Sequence, residues 1–422
     1  MSLKSFLLNP RKVERNSFVW NSVSTGLFAV QSMLMTIVTQ IKLGEVDTGV
    51  LAIGSAQAFL FGCVGTFGVS RFQASDVSRR FSFVQYVTAR ALTTAAMWLI
   101  AGGFLAWHRA TGAYDGFKTG IIVLMVALKT VDVFEDVVLS YFQQHRRLDV
   151  GSRACAVRYV ITMCVFTAAT LILGNLTWAL VATLISSVVA FLGLAWLILK
   201  GFVTAADKGS TRSIFVLFRE CAPMFVAGAL TVYVNNAPRY AIDQASTSVI
   251  QAQYTFLATP VFAISLVAAF MFNPMIARLA TLWQERDLKT FNRITLRLLA
   301  LITGVGILGF IAGYFIGLPI LSWIYQVDLT GFLPEFMALL VAGFLVALTG
   351  LLSTLLTVIR RQSFMAWGYA AVSVLSLIVA TRWVRAQGLM GASWLYLSLT
   401  AGLTLIFSAG LVVYLVRARA RA

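Results

Sequence analysis

Four ionisable residues within one apolar run carry the strongest chemical signal in this chain: Lys129, Asp132, Glu135 and Asp136. At about 100° per residue they fall within roughly a 120° arc, so one helical face holds three acids and a base. An unpaired charge at mid-membrane costs about 3 kcal/mol on insertion scales. Such a face must therefore turn towards other helices or towards a wet cavity. Two readings stand: a static pairing of Lys129 with Asp132, or a proton or sodium site that couples work to an ion gradient.

Arginines form the second set. Arg90, Arg158, Arg219 and Arg297 lie a turn or two inside the ends of apolar runs. Some such residues snorkel to the membrane surface. Those facing a cavity would bind phosphate oxygens in pairs through the guanidinium fork. Arg239 and Asp243 are four residues apart, so Arg239 either pairs with Asp243 or meets an anionic head group. Amides are also buried in the runs, among them Gln31, Gln57, Asn235, Asn236, Gln251 and Gln253. Each needs a hydrogen-bond partner, which a neighbouring helix or a sugar hydroxyl supplies equally well.

Other chemistries find little support. The chain has two histidines, His108 and His145, both expected in loops, and four cysteines without metal-ligand spacing; no metal or cofactor is expected. A GxxxxGK[ST] phosphate loop is missing, which argues against ATP hydrolysis. The acids expected outside the membrane (Glu45, Asp47, Asp115, Asp243, Asp328 and Glu335) are scattered. That distribution argues against a polymerase or glycosyltransferase, and the chain is expected not to be an enzyme.

The elements that must position these residues follow from composition. Hydrophobic residues make up 59% of 422 and charged residues 12%, about half the charged share of a soluble domain. Apolar runs of the length needed to cross the hydrocarbon core predict twelve helices, near 17–41, 48–70, 84–107, 118–142, 154–174, 178–199, 214–236, 247–271, 295–318, 335–358, 364–383 and 390–416. The fold class is an all-α polytopic membrane protein. The net charge of +17 is distributed as the positive-inside rule requires, with both termini cytoplasmic, so it implies no nucleic acid. The polar N-terminal segment, with Lys4, Arg11, Lys12 and Arg15, lacks a signal-peptide pattern. The inner segment Lys200–Ser213 divides the chain into two six-helix lobes, 1–207 and 208–422. Gly62, Gly65 and Gly68, and again Gly309, Gly313 and Gly317, form small-residue stripes that let helices approach closely. Pro223 and Pro260 favour kinks.

Two stretches carry a family resemblance. The first, from Arg15 to Arg90, contains RNSFVWNSVSTGLFAVQS, LGEVDTGVLAIGSA and FGVSRFQASDVSRRFSFVQYVTAR. The second, from Pro223 to Phe291, contains PMFVAGALTVYVNNAPRYAIDQ, IQAQYTFLATPVF and FNPMIARLATLWQERDLKTF. Together they resemble bacterial polysaccharide flippases, the Wzx-like branch of the multidrug/oligosaccharidyl-lipid/polysaccharide exporter superfamily. The resemblance implies two six-helix bundles around a central cavity that opens alternately to each side of the cytoplasmic membrane. It implies a polyprenyl-pyrophosphate oligosaccharide as substrate, with membrane lipids and other polysaccharide-assembly proteins as partners. The matching positions are Arg71, Gln73 and Asp76 in the RFQASD segment and Asn236, Arg239 and Asp243 in NNAPRYAID. With Arg90, Arg219 and Asn235 they are the expected substrate-binding set. Lys129, Asp132, Glu135 and Asp136 are the expected ion-coupling set. The alternative within the superfamily is a small-molecule or drug exporter.

Overall fold

The structure, a computed structural model, describes residues 6–8, 13–76, 78–200, 202, 214–272 and 275–419. Among them every regular element is helical. The N-terminal unit contains α1 (Val13–Leu43), α2 (Glu45–Thr66), the short α3 (Val69–Ser75), α4 (Phe83–Ala110), α5 (Gly116–Gln144), α6 (Leu148–Leu173) and α7 (Leu176–Leu199). Helix α8 (Ile214–Ala245) begins in this unit and ends in the next. The second unit continues with α9 (Ser248–Phe272), the short α10 (Ile276–Gln284), α11 (Leu288–Ala312), α12 (Leu318–Tyr325), α13 (Leu333–Val358) and α14 (Gln362–Arg419).

Nine stretches among the described residues are long and apolar enough to cross a membrane, so the chain is a multi-pass membrane protein. With α5, α9 and the division of α14, these make up the twelve expected spans. Helix α5 has 29 residues and α9 has 25. Helix α14 is two spans broken at Gly388, whose φ of 57° and ψ of −128° suit glycine. Helices α11 and α12 form one span joined by a π-helical segment, Gly313–Gly317.

Packing divides the chain into two compact units, Met1–Ala229 and Leu230–Ala422. The expected division between residues 207 and 208 lies outside the described residues, as do Lys4, Arg11 and Lys12. In the first unit, α1 packs on α6, α6 on α7 and α2 on α5. One core cluster joins Met35, Val50, Leu51, Ile121, Phe166 and Leu180. The glycine stripe of α2 fits this packing: a Cβ at Gly62 would lie 2.9 Å from the Lys129 stem, and one at Gly65 would lie 2.9 Å from Met97 Sδ. In the second unit, α13 packs on α9 and α14. Gly306, Gly313 and Gly317 receive Phe344, Leu340 and Phe336 of α13, so these glycines serve contacts between helices of one unit.

Two local expectations change. The segment after the second span is not a plain loop: Phe67 and Gly68 turn the chain through left-handed conformations, with φ of 44° and 70°, and α3 follows. Gly68 abuts Met224 and Cys221 of α8, leaving no room for a side chain. The histidines also sit closer to helices than expected, His108 in the last turn of α4 and His145 capping α5. Their ring nitrogens contact the Phe104 and Tyr141 carbonyls one turn back.

Candidate functional site

The charged face of α5 is built around a guanidinium from the neighbouring helix. Arg158 of α6 donates to Glu135 through Nε (2.8 Å) and Nη2 (2.6 Å), to Asp132 through Nη2 (2.7 Å), and to Ser187 of α7 through Nη1 (2.8 Å). The Arg158 side chain is 2% exposed. Lys129 Nζ approaches Asp132 at 3.3 Å and lies over the rings of Phe59 (4.6 Å) and Phe28 (5.4 Å). Gly62 leaves space for the lysine stem, which links the glycine stripe to the charge cluster. Lys129, Asp132, Arg158 and Ser187 line a cavity of about 80 Å³ with Gln31, Ser32 and Thr36 of α1 and Ser55 of α2. The Gln31 Oε1 in its wall is buried and without a partner.

Asp136 belongs to a second centre. One residue on from Glu135 it is rotated by about 100°, and it accepts from Ser70 and from Arg90 Nη2 at 3.3 Å. Arg90 is fully buried. Its Nη1 donates at 2.7 Å to the Gly65 carbonyl, which also accepts from Thr93 at 2.7 Å, and its Nη2 donates to Ser70. Gly65 lies in the last turn of α2, where carbonyls lose their helical partners, so Arg90 satisfies a helix end as well as an acid. The two centres together hold Lys129, Arg158 and Arg90 against Asp132, Glu135 and Asp136, three charges of each sign.

The RFQASD residues separate. Arg71 is exposed. Gln73 is fully buried with its amide unpartnered. Asp76 folds into the turn before α4, accepting from the Tyr86 hydroxyl (2.9 Å), the Phe81 N–H (3.3 Å) and Ser78 (3.1 Å). Gln144 of α5 donates to its backbone carbonyl at 2.7 Å. Burial pushes the Asp76 carboxyl up, but hydrogen bonds from the Arg80 and Phe81 backbone and the Tyr86 hydroxyl outweigh it and hold the group below its ordinary value. Arg80 continues the network to Glu220 of α8 at 3.0 Å. Arg219, beside it, is exposed.

In the second unit Asn235 is exposed, while Asn236, Arg239 and Asp243 are half-buried. The helix runs on to Ala245, so Arg239 lies within α8 rather than beyond its end. Asn236 donates to the Val232 carbonyl at 3.0 Å and accepts from Arg239 Nη1 at 3.3 Å. The same unit buries three tyrosines, Tyr254 of α9, Tyr325 of α12 and Tyr396 of α14. Tyr325 shares a 2.8 Å hydrogen bond with Thr259 and stacks on Phe256 at 4.2 Å. Gln251 is buried, with both ends of its amide unpartnered among the described residues. The tyrosines carried no sequence signal, being isolated aromatics in apolar runs.

Ionised groups compensated at membrane depth, on helices that span a bilayer, define the class: a polytopic helical membrane protein with a polar interior. No family model matches the chain, and no curated protein does. Solved structures match it over its full length. A transporter of the MOP superfamily from Pyrococcus furiosus, described as having a binding pocket of reverse polarity that suggests a different function, aligns with TM-score 0.65 and 14% identity, covering 100% of this chain and 98% of that one. An inward-facing multidrug resistance MATE family transporter of the same superfamily aligns with TM-score 0.62 and 13% identity over 99% and 97%. A MATE structure in complex with MaL6 aligns with TM-score 0.62 and 15% identity over 100% and 99%. The chain therefore has the fold of MOP-superfamily MATE transporters, and these matched proteins are transporters rather than enzymes.

Proposed function

We propose that the protein is a flippase that moves polyprenyl-pyrophosphate-linked oligosaccharide from the inner to the outer leaflet of a bacterial cytoplasmic membrane by alternating access. Moving a multiply charged head group through hydrocarbon without a polar path costs many kcal/mol. The observation that carries the reading is the charge balance of the interior. The three acids of α5 each face a cation, Arg158, Lys129 or Arg90, and Arg239 in the second unit sits beside the Asn236 amide. Such groups suit phosphate and sugar hydroxyls. Export of a cationic drug, suggested by the multidrug transporters of the same fold, is the second reading, and it is set against the cation already facing each α5 acid.

In this reading Arg239, Asn236 and Gln251 meet the head group, both termini are cytoplasmic, and other polysaccharide-assembly proteins consume the product. Direction comes from that consumption or from a proton or sodium gradient acting on Asp132, the carboxylate that Lys129 and Arg158 share at the cavity wall. The test is movement of a fluorescent lipid-linked oligosaccharide in proteoliposomes, with Arg239→Ala and Arg239→Lys. Loss of one charge-assisted contact of about 1.5–3 kcal/mol predicts a tenfold or greater fall for Arg239→Ala, with partial recovery for Arg239→Lys. Normal transport by Arg239→Ala, or drug resistance conferred on cells with no effect on surface glycan, would overturn the proposal.

A further inference from the structure

Five arginines of the first unit are paired internally. Arg90, Arg147, Arg153 and Arg158 all pair with carboxylates, and Arg80 reaches Glu220. Helix α11 differs. Lys289, Arg293 and Arg297 recur every four residues and so lie along one face over about 12 Å of rise; all three are exposed. None pairs with a carboxylate among the described residues, and Asp287 at the helix start is committed to capping, accepting from the Thr290 N–H at 3.0 Å. With Asn292, Leu296 and Ala300 they line an open concavity. The partial positive charge of a helix N-terminus adds to theirs.

The same face continues in a different chemistry. Ala300 and Gly304 leave it smooth, and a Cβ at Gly304 would meet nothing. One to two turns further along, Ile307 and Ile311 are 55% and 50% exposed, directly above Lys289 and Arg293 by helical periodicity. The opposite face, with Phe291, Thr295, Leu298 and Ile302, is buried in the unit. A cationic concavity followed by an exposed apolar stripe on one line matches the profile of a phospholipid read from phosphate to acyl chain.

We infer that Lys289, Arg293 and Arg297 form a binding site for an anionic phospholipid, with the phosphate among the three cations and an acyl chain along Gly304, Ile307 and Ile311. The length of the apolar stripe argues for a lipid over free phosphate, which would have no use for it. Ordinary positive-inside residues orient a helix without needing a common face or an apolar stripe above them. The site shares no residue with the set proposed to meet the transported head group, Arg239, Asn236 and Gln251.

The test uses the full chain in nanodiscs of phosphatidylcholine doped with phosphatidylglycerol, with retained lipids counted by native mass spectrometry after mild delipidation. The wild type should retain phosphatidylglycerol selectively. Each single substitution to Gln should weaken retention about fivefold, the effect of one basic residue near an anionic surface, and Lys289→Gln/Arg293→Gln/Arg297→Gln should weaken it about a hundredfold. Gly304→Phe, which sets a bulky ring on that face without changing charge, should also lower it. Arg382→Gln/Arg385→Gln/Arg417→Gln, with the same loss of charge elsewhere, should not. Thermal melting in pure phosphatidylcholine checks that each variant is folded. Undiminished retention by the folded α11 triple variant, equal loss in the control, or displacement of the lipid by millimolar inorganic phosphate would each overturn the assignment.

Discussion

Replacing Arg158 with Met tests the charge-compensated centre most directly. The side chain is 2% exposed and makes four hydrogen bonds, three of them to Asp132 and Glu135. Methionine fills similar volume but strands Glu135 without a cation and leaves Asp132 only Lys129. Breaking a buried ion pair from one side costs about 3–5 kcal/mol, mostly the penalty of the charge left behind. Arg158→Met should therefore show markedly lower thermal stability in detergent, read by loss of the monodisperse peak on size-exclusion chromatography after heating. Adding Glu135→Gln restores the balance of one cation to one anion around Asp132. The double variant should regain about 1–3 kcal/mol, the coupling expected of groups in one network. Glu135→Gln alone leaves Arg158 its bond to Asp132 and should cost less than Arg158→Met. If Arg158→Met is as stable as the wild type, or if the double variant is no better than the single one, the buried ion cluster does not organise this unit.

Gly62→Val would bring its Cβ to within about 2.9 Å of the Lys129 stem. It should displace the lysine from Asp132 and lower stability, whereas Gly26→Val, with nothing within 4 Å, should leave the melting curve within a degree or two. Asp76→Asn should destabilise by about 1–3 kcal/mol at pH 7, since the amide cannot accept charge-assisted bonds from the Phe81 N–H and Tyr86 hydroxyl. Because the folded carboxyl lies below its ordinary 3.8, its contribution is fully present above that value and is lost as pH falls through the folded one. The gap between the wild type and Asp76→Asn should therefore close on acidification below about pH 4, as melting temperatures across pH would show. A constant gap down to pH 3 would remove Asp76 from the acid limb.

The sequence by itself determined the membrane class, the twelve spans and the existence of a charged face on α5, because hydrocarbon imposes length and polarity on every segment that crosses it. It also placed the glycines of α2 and of the span joining α11 to α12 at helix contacts, since small residues at helical spacing have few other uses in lipid. It did not determine what the charges face. Periodicity fixes a side chain's direction about its own axis and says nothing about the neighbouring helix. Only the tertiary structure gave Asp132 and Glu135 to Arg158, turned Asp136 to Arg90, and exposed Arg71 and Arg219. These partners lie on different helices, far apart along the chain. Their meeting depends on helix packing, which no local pattern encodes.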